Sequence, residues 1–347
     1  MKGTLTIREI REQPEALARL LEREWRGVER VAAELRRRLP AAIVLAARGS
    51  SDSAALYGHY LIETVLRVPV SLASPSVVTL YRRVPRLRGM LVIGLSQSGR
   101  SPDIVEYVRA ARHAGARTLA ITNDARSPLA GAAHTVLLLH AGPERSVAAT
   151  KTYTAQLAVL SLLVGATAGD RRLLDGHGAL PDLVQSALDS AEAVAEVAAR
   201  YRRMARCIVT SRGFNYATAR EAALKLKETS YIAAEPLSSA DLLHGPIAVV
   251  ERRFPVVVIA PPGRAHAHLT QVVRDLSSRG AEVIVVSAHP ALRALARTAL
   301  PVPGPVDEML SPHVYIVPLQ MFAYHLALAR GFDPDRPRGL RKVTRVL

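Results

Sequence analysis

Met90-Leu91-Val92-Ile93-Gly94-Leu95-Ser96-Gln97-Ser98-Gly99-Arg100-Ser101 passes from an unbroken apolar run into a hydroxyl-rich turn, and Pro102-Asp103-Ile104-Val105-Glu106-Tyr107 then takes up helical spacing. The run is short, does not alternate and ends in turn residues, as a strand covered on both faces would. Strand, turn and helix in this order bring three serine hydroxyls together with the backbone N–H groups of a helix's first turn. Those N–H groups and the positive end of the helix dipole favour an anion, and hydroxyls add donors without added charge. The expectation is a phosphate cradle, although hydroxyl-rich turns also serve in plain helix capping.

Working outward, the punctuation around this stretch recurs at an offset of 164 or 165 residues. Ala42 to Gly49 answers Arg206 to Gly213, Met90 to Gly99 answers Phe254 to Gly263, and Gly115 to Thr122 answers Gly280 to Ser287. Short apolar runs separated by helical stretches predict a parallel sheet in each half, hence two doubly wound three-layer αβα domains of the flavodoxin-like or Rossmann-like kind. Ligands of such sheets bind beyond the carboxyl ends of the strands at a topological switch point, where Gly49 and Ser96 both fall. The expected organisation is a helical segment over 1–38, a first domain over 39–170, a helical linker over 171–203, a second domain over 204–330 and a tail over 331–347. The second copy of the cradle reads Ala260-Pro261-Pro262-Gly263-Arg264-Ala265, without hydroxyls and with two residues that lack N–H groups, so one phosphate site is expected, in the first half.

The 347 residues are 49% hydrophobic and 22% charged, a globular composition. With no apolar stretch of membrane length and no secretory leader pattern, a cytoplasmic protein is expected. Cys207, the single cysteine, lies in the apolar run Cys207-Ile208-Val209 and reads as a buried, inert thiol. The net charge of +16 comes from arginine scattered along the chain with only 4% aromatics, unlike the clustered basic and stacking residues of nucleic-acid readers. Neither nucleic acid nor membrane is an expected partner. Zinc and calcium ligand spacings are missing, as are G-x-G-x-x-G, G-x-x-x-x-G-K-[ST] and G-x-S-x-G, so neither metal nor cofactor is implied.

Arg48-Gly49-Ser50-Ser51-Asp52-Ser53 follows the first apolar run; its glycine admits close backbone approach and Ser51 can reach the same phosphate, while Ser51 or Asp52 as a helix cap is the ordinary reading, compatible with it. Glu144 to Thr152 reads as a loop closing over a sugar ahead of an apolar helix. The second half supplies titratable groups: Glu221 and Glu228 share one helix face, where solvated charge is the ordinary alternative, and His244 sits in a turn before Gly245-Pro246.

These motifs together resemble the sugar isomerase (SIS) domain family, in its tandem form. The resemblance rests on Gly49-Ser50-Ser51, Ser96 to Ser101, Val147-Ala148-Ala149-Thr150-Lys151, Leu224 to Tyr231, His244-Gly245-Pro246, Val317 to Gln320 and Asp335 to Lys342. Within the family, Ser96 to Asp103 and Ala141 to Lys151 look more like stand-alone glucosamine-6-phosphate deaminases than like the isomerase half of glucosamine-6-phosphate synthase. The resemblance implies that Gly49, Ser50, Ser51, Ser96, Gln97, Ser98 and Ser101 hold a sugar phosphate, that Glu228 moves a proton between C1 and C2, and that His244 helps open the ring from the neighbouring subunit of a homodimer. It further implies that Lys342 approaches the sugar oxygens and that Glu144, Val147, Ala149 and Glu221 line the pocket. Ala149 stands where the synthase motif has serine. The synthase's glutamine-hydrolysing cysteine has no counterpart in Cys207, which turns the expectation towards deamination. An aldose-ketose isomerase, a deaminase of another amino-sugar phosphate and a non-catalytic sugar-phosphate sensor are the alternatives.

Overall fold

In a computed structural model, which describes residues 2–342, the strands assemble into two sheets of five. The first sheet holds β1 (Ile43–Ala46), β2 (Val70–Leu72), β3 (Leu91–Leu95), β4 (Arg117–Thr122) and β5 (Thr135–Leu138) in the order β2-β1-β3-β4-β5. The second holds β6 (Arg206–Ser211), β7 (Ala233–Ser238), β8 (Pro255–Ile259), β9 (Glu282–Ser287) and β10 (Thr298–Pro301) in the order β7-β6-β8-β9-β10. Every paired neighbour is parallel. Each sheet therefore has the same doubly wound order, and the repeat visible in the sequence is a repeat of topology.

Burial follows from that order. Parallel neighbours need crossover helices, and these cover the sheet faces, so every residue of β1 and β3 is buried. On one face of the first sheet Val44, Ala46, Val92 and Ala120 pack against Ile104 and Val108 of the helix Pro102–His113 and Leu129 of the helix Pro128–Ala132. In the second sheet Ile208, Val256, Val258 and Val285 meet Leu269, Val272 and Leu276 of the helix His266–Ser278. Cys207 is buried in β6, and desolvation pushes its thiol up to about 12, consistent with an inert side chain.

By packing, the chain divides into two compact units that are not continuous in sequence. The first-sheet unit takes residues 15–144, 151–178 and the chain from Arg341; the second-sheet unit takes 1–14, 145–150 and 179–340. The amino-terminal segment, expected to be helical over 1–38, carries two helices, Thr4–Arg11 and Gln13–Arg37. At the junction the buried Gln13 amide donates to the Ile10 carbonyl and to Gln320 Oε1, 2.9 Å each. Asp170 caps the helix Arg171–Gly176 by accepting from the Leu173 N–H, and helices Leu180–Leu188 and Ala191–Arg200 follow.

His177, buried in the first-sheet unit, has Nδ1 2.7 Å from the Leu173 carbonyl and Nε2 2.7 Å from Ser161 Oγ. The carbonyl can only accept, so Nδ1 carries the proton and Nε2 faces the Ser161 hydroxyl, which also lies within hydrogen-bond reach of the Leu157 carbonyl. Desolvation lowers this imidazole from the ordinary 6.5 to about 4. A histidine held neutral in the fold contributes stability that is complete above the unfolded value and is lost as pH falls through the folded one, here up to ~3 kcal/mol. Unfolding free energy should therefore fall between pH 6.5 and 4 more steeply in the wild type than in His177→Gln. Parallel pH profiles of chemical denaturation check this, and identical slopes would contradict it.

Candidate functional site

β3 delivers Ser96 to Ser101 at its carboxyl end, beside the loop Arg48 to Ser51 that leaves the neighbouring strand β1. Strand order reverses between these two strands, the position where open α/β sheets take ligands. Gly49 turns at φ 57°, ψ −132°, and its counterpart Gly213 at φ 64°, ψ −137°; side chains rarely tolerate this conformation. The cap reading for this loop does not hold. Ser51 lies inside the helix Ser50–Val65, whose cap position is Gly49, and the buried Ser51 Oγ accepts from Gln156 Nε2 at 2.9 Å.

The cradle's shape is built by its own hydrogen bonds. Ser96 Oγ accepts from the Gly99 N–H at 3.2 Å and Ser98 Oγ from the Arg100 N–H at 3.3 Å. The Gln97 carbonyl accepts from the Asn123 N–H and from Thr122 Oγ1, which ties the loop to the end of β4. Ser101 occupies the cap position of the helix Pro102–His113 in extended geometry (φ −70°, ψ 112°), yet its hydroxyl makes no cap hydrogen bond. The first turn of this helix, like that of any helix, has N–H groups without partners inside the helix, the feature that suits such a terminus to an anion. Arg48 Nε donates to Asp103 Oδ2 at 2.7 Å and so links the two loops, a contact that spacing along the chain does not announce.

Glu144 and Lys342 meet in the same unit. The buried Glu144 carboxylate accepts from the Thr152 N–H at 3.2 Å and Thr152 Oγ1 at 2.7 Å, at the start of the helix Lys151–Ala168. Lys342 Nζ donates to its Oε2 at 3.0 Å with a quarter of the side chain exposed. Lys151 Nζ is committed to the Pro143 carbonyl at 2.8 Å.

The second-sheet unit holds the acids. On the helix Phe214–Ser230, Lys225 Nζ lies 2.6 Å from Glu228 Oε2 and 3.4 Å from Glu221 Oε1. Glu221 and Lys225 are 0% and 2% exposed and Glu228 is 23% exposed, so the solvated-face reading fails. Steps of four and three residues stack all three side chains on one stripe of the helix, and the ammonium between two carboxylates offsets the cost of burying charge. Lys225 Nζ bonds one oxygen of Glu228, Oε2. His244 ends the short helix Ser239–Leu243 and is exposed, together with Leu243 and Val249. Val147 and Ala149 are half-buried in the segment 145–150, which the buried Glu9 carboxylate anchors by accepting from the Arg145 and Ser146 N–H groups. Glu9, Gln156 and Lys225 support candidate positions without having been singled out from sequence. Of these only Lys225 carried a usable signal, its spacing between the two glutamates.

Among the described residues no cluster of three His, Cys, Asp or Glu is arranged to hold a metal ion, and no helix is long and apolar enough to cross a membrane. One residue of the cradle admits no side chain: a Cβ on Gly99 (φ 62°) would lie 2.1 Å from Ser127 Oγ and 2.4 Å from Ser127 Cβ. Gly99→Ala should therefore distort the loop and weaken phosphate-ester binding by at least tenfold while the second sheet stays intact. Sugar-phosphate titration followed by calorimetry checks this, and unchanged affinity would contradict it.

The SIS domain family matches the chain twice, over residues 40–166 and 201–330. The glutamine–fructose-6-phosphate aminotransferase (isomerizing) of Methanothermobacter thermautotrophicus is 39% identical over 345 residues, covering 98% of this chain. The chain spans 57% of that relative's length. A Silicibacter pomeroyi protein assigned as a phosphosugar isomerase aligns with TM-score 0.87 and 37% identity over 96% of this chain and all of its own. The C-terminal domain of glucosamine-fructose-6-phosphate aminotransferase from Francisella tularensis aligns with TM-score 0.87 and 26% identity over 96% of this chain and 98% of that one. The doubled sheet order, the doubled family match and this coverage agree: the chain belongs to the SIS domain family, as a tandem of two such domains.

Proposed function

We propose that the protein is a phosphosugar isomerase that moves a proton between C1 and C2 of a hexose 6-phosphate, and that the net reaction is deamination of glucosamine 6-phosphate. The observation that carries the reading is the pairing of Lys225 with Glu228, which orients a partly exposed carboxylate and leaves one of its oxygens without that partner. The serine cradle supplies binding energy at the phosphate, remote from the reacting carbons.

In this reading the open-chain amino sugar loses its C2 proton to Glu228, passes through an enolamine and receives the proton at C1. The product is the imine of fructose 6-phosphate, and water then gives fructose 6-phosphate and ammonia. One base serves both carbons because they are adjacent, and positioned general-base help is worth roughly 10²- to 10⁴-fold in rate. Lys342, held by Glu144, brings positive charge towards the sugar oxygens. The names of the relatives support a hexose 6-phosphate of the glucosamine and fructose series, and this chain spans only part of the length of the Methanothermobacter relative.

The protein is further proposed to act in the cytoplasm as a homodimer in which His244 serves the neighbouring subunit's sugar. The exposure of His244 beside Leu243 and Val249 supports this, since a second copy would cover an otherwise wet apolar strip.

Glu228→Gln keeps the shape and removes the base. It should lower turnover by at least 10²-fold with sugar-phosphate affinity retained, as read by coupled assay of ammonia and fructose 6-phosphate together with calorimetry. Full activity in this variant would remove the base assignment. Mixing Glu228→Gln with His244→Ala subunits should partly restore the activity that each lacks, because one site of the mixed dimer regains both groups; no recovery after verified exchange would confine His244 to its own chain.

A further inference from the structure

The first-sheet unit has a concave region at the end of its strands opposite to the loop Ser96 to Ser101. A cavity of about 520 Å³ is lined by Arg38, Arg88 and Arg117 over Pro40, Gly89 and Gly115. Arg38 and Arg88 lie shortly before β1 and β3 and Arg117 is the first residue of β4, whereas the cradle follows β3; five strand residues at about 3.3 Å each separate the two regions by roughly 16 Å. The chain's positive charge is therefore not spread evenly: three arginines from three separate parts of the chain line one hollow.

None of the three arginines pairs with a carboxylate among the described residues. Neighbouring Arg36 is satisfied by Glu29 and the Ala166 carbonyl, so the region does not simply lack acceptors. Arg117 Nη2 donates to the Arg38 carbonyl at 3.2 Å, which holds one fork at the rim. A helix C-terminus accounts for part of this charge, since Arg38 follows the helix Gln13–Arg37. It does not account for Arg88, which precedes a strand and has no hydrogen-bond acceptor among the described residues. The space beside Gly89 is open, since a Cβ there would meet nothing within 4 Å. Three like charges around one concavity repel each other unless an anion lies between them, and guanidinium forks match phosphate oxygens in pairs while never losing their proton.

We propose that this arginine-lined cavity is a binding site for a small phosphate-chain anion, such as an oligophosphate or the phosphates of a nucleotide, separate from the sugar-phosphate cradle. Its concavity and its small volume favour a compact polyanion over an extended strand.

Tripolyphosphate titrated into the full chain by calorimetry is the test. Arg38→Gln, Arg88→Gln and Arg117→Gln combined should weaken binding by at least tenfold. An equal loss of charge at exposed arginines of the other unit, Arg203→Gln, Arg252→Gln and Arg279→Gln combined, should leave it within about twofold, and binding should fall steeply with added salt. A cradle variant, Ser98→Ala with Ser101→Ala, should lose glucosamine 6-phosphate and keep tripolyphosphate, which separates failure of this site from failure of the isomerase reading. Adenosine triphosphate binding as tightly as tripolyphosphate supports recognition of the phosphate chain alone, and tighter binding supports an added contact to the base. Equal loss in both arginine variants, no loss in either, or displacement of tripolyphosphate by duplex DNA at lower concentration would each overturn the proposal.

Discussion

Parallel pairing is the constraint on which the rest of this molecule depends. Because each strand runs the same way as its neighbour, each connection must cross the sheet, and the crossing helices bury both faces. The same geometry sends every strand's carboxyl end into a loop that opens a helix. Backbone N–H groups thus collect at one end of the sheet whatever the side chains are, and the first half of the chain adds hydroxyls there. The second half repeats the topology but places Pro261 and Pro262 at the equivalent turn, so the same backbone plan loses its donors.

Charge is then sorted by burial. A carboxylate removed from water demands a partner, and the two acidic positions of the helix Phe214–Ser230 find the same one in Lys225. Glu144 meets its demand differently, through the first turn of the helix Lys151–Ala168 and through Lys342. In both places a lysine does the work although the chain has only five lysines among its 46 basic residues. An ammonium is a compact point charge with three donors, able to sit between carboxylates where a planar guanidinium would not fit as readily.

Arginine plays the complementary part on the surface. Most of its charge is dispersed or paired at exposed sites, where an ion pair contributes little. The hollow around Arg88 departs from that pattern, and it lies at the amino ends of the strands, where the fold itself supplies no helix N-termini to attract anions. Within a charge scattered along the chain, Arg38, Arg88 and Arg117 thus form a concave concentration.

The sheet plan, the doubled architecture and the place of the loop Ser96 to Ser101 between a strand and a helix were legible in the amino-acid sequence, because each of these is written in neighbouring residues: apolar runs, turn glycines and a hydroxyl cluster within a dozen positions. The second helix in the amino-terminal segment, the anchoring of segment 145–150 by Glu9, the contact of Ser51 with Gln156 and that of Glu144 with Lys342 were decided by tertiary structure. They join residues up to 198 positions apart, and no local pattern encodes such pairings. Whether the charged face of the helix Phe214–Ser230 met water or protein was likewise undetermined in the sequence, since spacing defines a face but only packing defines what covers it.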